Sequence, residues 1–311
     1  MNTAPTFADF VARWAGPVED AIASLLPAVD APPARLHEAM RYALFPGGKR
    51  LRPMLALLAC EAVGGEPQRA LRAAAALECL HTYSLVHDDL PCMDDDDLRR
   101  GRLTCHKVYG EALALLAGDA LLTVAFEGAA TAGAAAVAAL ARGAGSLGMV
   151  GGQVEDLAAE GDPAGHTLAR LQWIHDHKTG KLITASLLVG AHAAAGPDGA
   201  PETVIAPLRR FGDRLGRAFQ IADDCLDLTG TAAELGKNPL ADVALGKLTW
   251  PALVGLEQSL AAARATVAEA QAEAPGIAAA AASWRGLRPG ALDAAVALLQ
   301  DVAQYAVDRR R

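Results

Sequence analysis

Apolar residues recur along this chain at helical spacing, in segments that proline and glycine interrupt. Two such series are Leu71, Ala74, Ala75 and Leu85, with Glu78 on the same spacing, and Leu208, Phe211, Leu215, Phe219 and Ala222. Positions three and four residues apart share one face of an α-helix. No alternating apolar and polar pattern is long enough to build a sheet. The pattern therefore predicts long amphipathic helices throughout.

Clusters of proline and glycine mark the predicted ends of these helices. They fall at 27–33, 46–48, 64–67, 91, 161–163, 196–201, 235–239 and 275–276. No linker or low-complexity stretch divides the chain into two parts. We therefore expect one all-α domain over residues 1–311, larger than a four-helix bundle.

The composition excludes two classes of protein. Of 311 residues, 52% are hydrophobic and 21% are charged, so the chain has enough apolar surface for a core and is not disordered. The formal net charge of −8 argues against nucleic acid as the main partner, because binding to phosphate backbones needs a basic surface.

The sequence also favours a cytoplasmic location without a membrane span. The apolar stretch 112–141 contains Asp119 and Glu127, and its uncharged part is too short to cross a bilayer. The N-terminal region carries charges where a signal peptide would need an apolar core. The five cysteines form no C-x-x-C pair, which is typical of reduced thiols in a cytoplasmic core. They are Cys60, Cys79, Cys92, Cys105 and Cys225.

Two aspartate clusters are the candidate chemistry. Asp223 and Asp227 are four residues apart, so a helix places both carboxylates on one face, where they repel unless a cation lies between them. Gln220 lies on the same face. Oxygen ligands without nearby histidine or cysteine suit a hard cation such as Mg²⁺.

The other cluster contains Asp88, Asp89 and Asp94. Pro91 ends or distorts the helix that carries Asp88, so the chain can turn back and bring Asp94 towards Asp88. His81 lies two helical turns before Asp88. Taken alone, residues 95–97 would be a solvated acidic loop, but apolar neighbours place both clusters at the margins of buried helices.

Basic residues accompany several glycine-containing turns. Each alone would be a surface charge. Together with the aspartates they indicate a site for more than one polyphosphate, in which carboxylates hold Mg²⁺ and cations neutralise the remaining phosphate charge. They are Lys49 and Arg52, Arg99 and Arg100, Lys178, Lys237 and Lys247.

These motifs resemble the trans-isoprenyl (polyprenyl) diphosphate synthases, and among them the bacterial farnesyl diphosphate synthases. The matching strings are GGKRLRP at 47–53, LECLHTYSLVHDDLPCMDDDDLRRG at 77–101, GGQVEDL at 151–157, IHDHKTGKLI at 174–183, FQIADDCLD at 219–227 and LGKNPLADVALGKLTWP at 235–251. The resemblance covers about two-thirds of the chain. It implies the isoprenoid synthase fold, a single all-α bundle around a deep central cavity.

The resemblance also implies a role for each matching residue. The metal ligands would be Asp88 and Asp94, supported by Asp89, with Asp223 and Asp227 on the opposite wall. The allylic diphosphate would be bound by Arg99, Lys178, Lys237 and Lys247. Isopentenyl diphosphate would be bound by Lys49, Arg52, His81 and Arg100. Thr179 and Gln220 would lie beside the developing carbocation and, with Arg99, Lys178 and Lys237, would carry the catalysis.

The implied reaction condenses dimethylallyl diphosphate, and then geranyl diphosphate, with isopentenyl diphosphate. Its products would be (2E,6E)-farnesyl diphosphate and pyrophosphate. Ionisation, condensation and proton elimination would need Mg²⁺, expected as three ions per site with Mn²⁺ as a substitute. The family is usually homodimeric, so a homodimer is expected as well.

The expected C15 product depends on the residues just before the first aspartate motif. One helical turn advances 5.4 Å, comparable with one isoprene unit. Tyr83 and Ser84 lie about one turn before Asp88, and the family has an aromatic residue at the position of Tyr83 in C15 synthases. Tyr83 would therefore form the floor of the product cavity, although a core aromatic residue with no such role is the simpler interpretation.

Three alternatives stay open at this point. The chain could be a geranyl or geranylgeranyl diphosphate synthase of the same family, or a non-catalytic regulatory subunit. Retention of both aspartate motifs and of Arg99-Arg100 speaks against the subunit. A terpene cyclase has no need for the second diphosphate site of GGKRLRP and His81. One departure from the family is Leu240-Ala241 before Asp242, where a second glycine and a cation are usual.

Overall fold

The computed structural model describes residues 6–45, 47–160, 162–229 and 247–308. The helices of the N-terminal half are α1 (Phe7–Leu25), α2 (Ala34–Leu44), α3 (Leu51–Ala62), α4 (Pro67–Asp88), α5 (Cys105–Tyr109), α6 (Glu111–Ala130), α7 (Ala134–Ala144) and α8 (Met149–Glu160). Those that follow are α9 (Leu168–His175), α10 (Lys181–Ala195), α11 (Glu202–Thr229), α12 (Trp250–Val254), α13 (Leu256–Arg285) and α14 (Asp293–Asp308). A 3₁₀ turn covers Pro163–Gly165 and a π-helical turn covers Asp176–Gly180. The architecture is all-α, as the spacing of apolar residues predicts.

Local sequence signals account for where several helices begin. Thr6 caps α1 with its hydroxyl, which accepts from the Asp9 N–H, while the Asp9 carboxylate accepts from the Thr6 N–H. This capping box satisfies donors that the first turn leaves unpaired. Pro67 is the first residue of α4, where a missing N–H costs nothing.

Helix α10 is the centre of the bundle. Every side chain from Leu182 to Ala194 is buried, and α3, α4, α7 and α11 pack around it. Glycines allow the close crossings. A Cβ at Gly190 would overlap the carbonyl oxygen of Ala56 on α3, and a Cβ at Gly212 on α11 would lie against Thr184. The core is therefore built on backbone proximity as much as on large side chains, in keeping with the low aromatic content.

The structure differs from the sequence-based expectation at two places. The break predicted at 275–276 is wrong, because α13 continues through Pro275 as far as Arg285. Its buried residues Ala274, Ile277 and Ala281 pack on the core, and that packing outweighs the lost hydrogen bond. In addition, Leu98–Arg99 and Arg102–Leu103 form a short antiparallel hairpin, β1 and β2, after the first aspartate cluster.

Among the residues that the structure describes, two stretches would be long and apolar enough to cross a membrane by length and composition alone, Glu111–Ala130 and Ala134–Glu160. Core helices of a bundle meet the same criterion. The first stretch is α6, which packs on α4, and the second is interrupted between α7 and α8. The expectation that no segment spans a membrane stays a prediction.

The cysteines are free thiols, and four of the five are buried. Burial raises the pKa of Cys60, Cys79 and Cys105 to about 12 and that of Cys225 to about 11. These four are core residues with unreactive thiols, as the scattered spacing predicts.

We expect Gly190→Ala to destabilise the protein by about 2 kcal/mol or more, because the added methyl group must displace the α3 backbone. The measurement is the shift in the midpoint of urea unfolding. Gly276→Ala is the matched control, since nothing lies within 4 Å of its Cβ position in α13. That variant should be neutral or stabilised by up to about 1 kcal/mol. Equal shifts in the two variants would contradict the proposed close crossing.

Candidate active site

The first aspartate cluster forms a tight turn at the end of α4. Asp88 is the last residue of the helix, and its carbonyl oxygen accepts a hydrogen bond of 2.8 Å from the Asp94 N–H. The Asp95 backbone has a φ of 51°, which allows the chain to continue beyond the turn. The expectation that the chain turns back after Pro91 and brings Asp94 to Asp88 is confirmed.

The Asp88 carboxyl group lies in a strongly perturbed electrostatic environment. Burial raises its pKa to about 6, Lys178 lowers the pKa, and the charges of Asp94 and Asp89 raise it. Negative charge is thus concentrated in a half-buried region, where solvent screens it less than at the surface. A bound cation would relieve this repulsion.

Asp89 has a different role from Asp88 in this structure. Its carboxylate is buried, with Oδ1 accepting from the Arg99 Nε at 2.7 Å, and a second guanidinium nitrogen lies 2.6 Å from the same oxygen. Asp89 thereby holds Arg99, which also influences Asp88. This fits the supporting role that the resemblance implies for Asp89.

Three of the four residues expected to bind the second diphosphate, two arginines and a histidine, act on one another electrostatically. The pKa of Arg52 is lowered to about 10, mainly by burial and also by Arg100, although Glu78 and Asp223 raise it. Burial, Arg52 and Arg100 lower the pKa of His81 well below its ordinary value, so its imidazole is neutral. Two guanidinium groups beside a neutral imidazole are a suitable place for a polyanion.

The fourth residue, Lys49, lies in the exposed loop of residues 47–49, against which Arg100 packs. Arg100 donates a hydrogen bond to the Gly47 carbonyl, and a Cβ at Gly48 would collide with the guanidinium group. The neighbouring cation Arg50 serves a structural purpose instead. It is buried and paired with Glu19 at 2.6 Å and with Glu78 at 3.0 Å.

The π-helical turn between α9 and α10 presents Lys178 and Thr179 to two neighbouring helices. Lys178 Nζ lies 2.6 Å from Asp156 Oδ2 on α8, and Thr179 Oγ1 donates to Gln220 Oε1 on α11 at 2.8 Å. A Cβ at Gly152 would overlap the Lys178 backbone. The extra residue in a π turn changes the helical phase, and such turns are common at functional sites.

The second aspartate cluster occupies the C-terminal part of α11. Asp223 is half-buried and its charge acts on Arg52, while Asp227 is buried one turn later. Lys247 Nζ lies 3.7 Å from Glu160 Oε1 at the end of α8. Lys237, Leu240-Ala241 and Asp242 lie outside the described residues.

Two aspartates of the site were missed by the sequence reasoning. Asp156 lies in the GGQVEDL string, which carried the resemblance but suggested no role for this side chain. Asp224 lies between residues 223 and 227, and its carboxylate accepts from the Trp250 N–H at 2.8 Å. Their respective contacts with Lys178 and Trp250 join residues more than 20 positions apart in the sequence, so only the tertiary structure reveals them.

Tyr83 is buried one turn before Asp88, where the floor of the product cavity is expected. Its ring lies edge-on against His87, with centroids 5.6 Å apart. His87 Nε2 is 3.0 Å from the Leu115 carbonyl oxygen on α6, and a Cβ at Gly118 would overlap the imidazole. Ser84 donates to the His81 carbonyl oxygen at 2.8 Å.

The donor set fits magnesium. Among the described residues, no three histidine, cysteine, aspartate or glutamate side chains are arranged to hold a metal ion by themselves. Mg²⁺ is usually bound by one or two carboxylates together with substrate phosphates and water. Asp88 and Asp94 on one side and Asp223 on the other provide oxygen donors of this kind.

Comparison with known proteins agrees with this geometry. Residues 33–282 match the family model described as polyprenyl synthetase. A heterodimeric geranylgeranyl pyrophosphate synthase large subunit from Arabidopsis thaliana chloroplasts is 47% identical over 264 residues, covering 81% of this chain and 70% of that protein.

Two crystal structures have the same fold. An FPP/GFPP synthase from Zymomonas mobilis superposes with a TM-score of 0.80 and 35% identity, over 97% of this chain and 99% of that chain. A geranyltransferase from Helicobacter pylori, complexed with magnesium and isoprenyl diphosphate, has a TM-score of 0.76 and 31% identity, over 96% of each chain. With its all-α isoprenoid synthase fold and its match along most of the length, the chain belongs to the polyprenyl synthetase family, the trans-prenyl diphosphate synthases.

Proposed function

We propose that this protein condenses isopentenyl diphosphate with an allylic diphosphate and releases pyrophosphate. The observation that carries the proposal is the meeting of carboxylates and cations from separate elements. Asp88 on α4 is influenced by Lys178 and Arg99, and Asp223 on α11 by Arg52 on α3. Such a site suits two diphosphate groups, and membership of a family of prenyltransferases supports this assignment.

In the proposed mechanism, the two diphosphates bind to different cationic groups. Arg99 and Lys178 bind the allylic diphosphate, and Lys49, Arg52, His81 and Arg100 bind that of isopentenyl diphosphate. Mg²⁺, when bound, neutralises the charge that grows on the leaving pyrophosphate. The fixed guanidinium and ammonium groups add to that stabilisation without reorganisation.

The organic steps need no nucleophile from the protein. The allylic C–O bond breaks with its electron pair going to pyrophosphate, and the isopentenyl double bond attacks the carbocation. A proton then leaves the adjacent carbon and regenerates a double bond, with the released pyrophosphate as the acceptor. Thr179 and Gln220 supply polar atoms beside the positive charge, and the apolar bundle excludes water that would quench it.

The length of the product belongs to this proposal as well. Named relatives, among them the Arabidopsis subunit, are geranylgeranyl pyrophosphate synthases, and this favours a C20 product over the C15 product expected first. One observation favours C15: the buried ring of Tyr83 lies directly below Asp88 and is braced by His87. We therefore propose C20 as the main product, with C15 as the second candidate.

The number of metal ions, the use of Mn²⁺ and the location also stay proposals. A bound magnesium ion is present in the Helicobacter pylori neighbour, which supports a magnesium requirement here. Three ions per site and a cytoplasmic location are expected from the sequence alone. The Arabidopsis relative is named chloroplastic, so it lends the location no support.

We also propose a homodimer, supported by apolar side chains that the single chain leaves exposed on α6 and α8, two helices that both contact α7. They are Leu115 and Leu116 on α6, Val150 and Val154 on α8, and Leu147 between α7 and α8. Exposed apolar groups of this kind indicate a surface for association. The name of the Arabidopsis relative describes a heterodimer, so a second copy of this chain is a proposal of our own.

Activity should depend on a divalent metal and on both aspartate clusters. EDTA, Asp88→Ala and Asp223→Ala should each lower the rate of pyrophosphate release by about 100-fold or more, because the leaving group then lacks its counter-charge. Circular dichroism should show unchanged helix content. The exposed Asp198→Ala variant is the control and should retain activity. Rates near those of the wild type in EDTA would contradict the mechanism.

The two diphosphates should respond to different substitutions. Lys49→Ala and Arg100→Ala should raise the KM for isopentenyl diphosphate by about tenfold or more, because each removes a charge-assisted contact. Lys178→Ala should raise the KM for the allylic substrate instead. Arg69→Ala, an exposed cation on α4, should change neither constant. If all three site variants raised the same KM, the assignment of two sites would be wrong.

Chain length should respond to Tyr83 and Ser84. Incubation with dimethylallyl and isopentenyl diphosphates, followed by chromatography of the dephosphorylated alcohols, identifies the main product. If Tyr83 is the floor, Tyr83→Ala gives longer products than the wild type and Ser84→Phe gives C10. A C20 product in both wild type and Tyr83→Ala would show that the floor lies elsewhere and would remove the C15 candidate.

A further inference from the structure

Two consecutive aspartates on α11 have different surroundings. Successive residues of an α-helix point about 100° apart. Asp223 is half-buried and its charge reaches Arg52 across the site. Asp224 is only 6% exposed and faces the end of α9 and the start of α12.

Both oxygens of the Asp224 carboxylate point at groups of the protein. Oδ2 accepts from the Trp250 N–H, at the first residue of α12, at 2.8 Å, and His175 Nε2 lies 3.6 Å from the same oxygen. Oδ1 is 3.4 Å from Gln220 Nε2. Burial lowers the pKa of His175 to about 3, so its imidazole is neutral and contributes no positive charge.

This arrangement determines how the Gln220 amide is oriented. Its NH₂ group must face Asp224, because the amide oxygen in that place would oppose a carboxylate oxygen. The amide oxygen is then left for Thr179, whose hydroxyl donates to it at 2.8 Å. Because the hydroxyl proton of Thr179 is donated to Gln220, the lone pairs of the Thr179 oxygen can face a positive charge in the site.

We propose that Asp224 is a positioning residue of the prenyl transfer and not a metal ligand. It orients the Gln220 amide and, through it, the Thr179 hydroxyl, so that an oxygen lone pair faces the carbocation. This inference rests on the proposed function, and it separates two adjacent aspartates that the sequence alone cannot distinguish.

The test moves the negative charge from position 224 to position 220. Asp224→Asn keeps an acceptor for Trp250 but presents an NH₂ group to Gln220, which turns the amide and makes Thr179 an acceptor. Adding Gln220→Glu restores the order of donors and acceptors, because a carboxylate at position 220 accepts both from the new amide at position 224 and from Thr179. A purely structural role, or a metal-binding role, predicts no such rescue.

We expect Asp224→Asn to lower kcat by about tenfold or more, with the KM values of both diphosphates within about twofold of wild type. The double variant Asp224→Asn/Gln220→Glu should recover most of the lost kcat. Gln220→Glu alone should stay impaired, because it places two carboxylates together. Asp213→Asn is the matched control: it lies on the same helix, accepts from Thr184 at 2.9 Å, and should retain full activity.

A second measurement needs no turnover. Mg²⁺ with inorganic pyrophosphate should raise the melting temperature of the wild type and of Asp224→Asn equally, and should raise that of Asp223→Asn clearly less, because only Asp88 and Asp94 then remain as ligands. A shift in Asp224→Asn as small as that in Asp223→Asn would show that Asp224 is a metal ligand and would overturn the inference. If the wild-type protein shows the shift but forms no prenyl product, the proposed function fails. The comparison of the two variants still decides whether Asp224 binds the metal.

A further variant covers the case in which Asp224→Asn does not fold. Gln220→Leu breaks the link to Thr179 and leaves the bond between Asp224 and Trp250 in place. Its kcat should fall as far as that of Asp224→Asn. Full activity of Gln220→Leu, or failure of the double variant to recover kcat while folded, would overturn the inference.

Discussion

The feature on which this site depends is the burial of carboxylates beside one another at the ends of core helices. Asp88 is half-buried near Asp89 and Asp94. Its pKa rises to about 6, mainly because burial disfavours the charged carboxylate and also because of the neighbouring negative charges. That arrangement costs stability in the free protein and becomes favourable when cationic ligands arrive. Lys178 and Arg99 offset part of the cost, because each is paired with an aspartate and each lowers the pKa of Asp88.

The scaffold explains how so many charges reach one region. Helix α10 passes through the middle of the bundle, and glycines at its crossings bring neighbouring backbones close enough for short polar side chains to meet. The π-helical turn just before α10 aims Lys178 and Thr179 at different helices. Rigid packing thus positions the groups proposed to act in catalysis, in agreement with the need for preorganised charges in the proposed reaction.

Cations that look alike in sequence divide into two kinds in the structure. Arg50 and Arg52 are two residues apart. Arg50 forms ion pairs with Glu19 and Glu78, whereas Arg52 is influenced by the charge of Asp223 in the site. Likewise Asp89 holds Arg99, whereas Asp88 lies beside Lys178. Residues proposed to bind substrate or metal thus stand next to chemically identical residues that are engaged in ion pairs within the protein.

The sequence by itself determined the all-α class, several helix ends and the turn that brings Asp94 to Asp88, because helical spacing, proline and glycine act over a few residues. The clustered aspartates and glycine-flanked cations indicated a polyphosphate site, and the motif strings indicated the family that the comparisons confirm. Tertiary structure alone decided that α13 continues through Pro275, that Asp156 pairs with Lys178, and that Asp224 faces inwards. These outcomes depend on which helices pack together and on how each helix is rotated about its axis. Consecutive helical residues point about 100° apart, so one of two neighbouring aspartates can face the site while the other is buried against the protein.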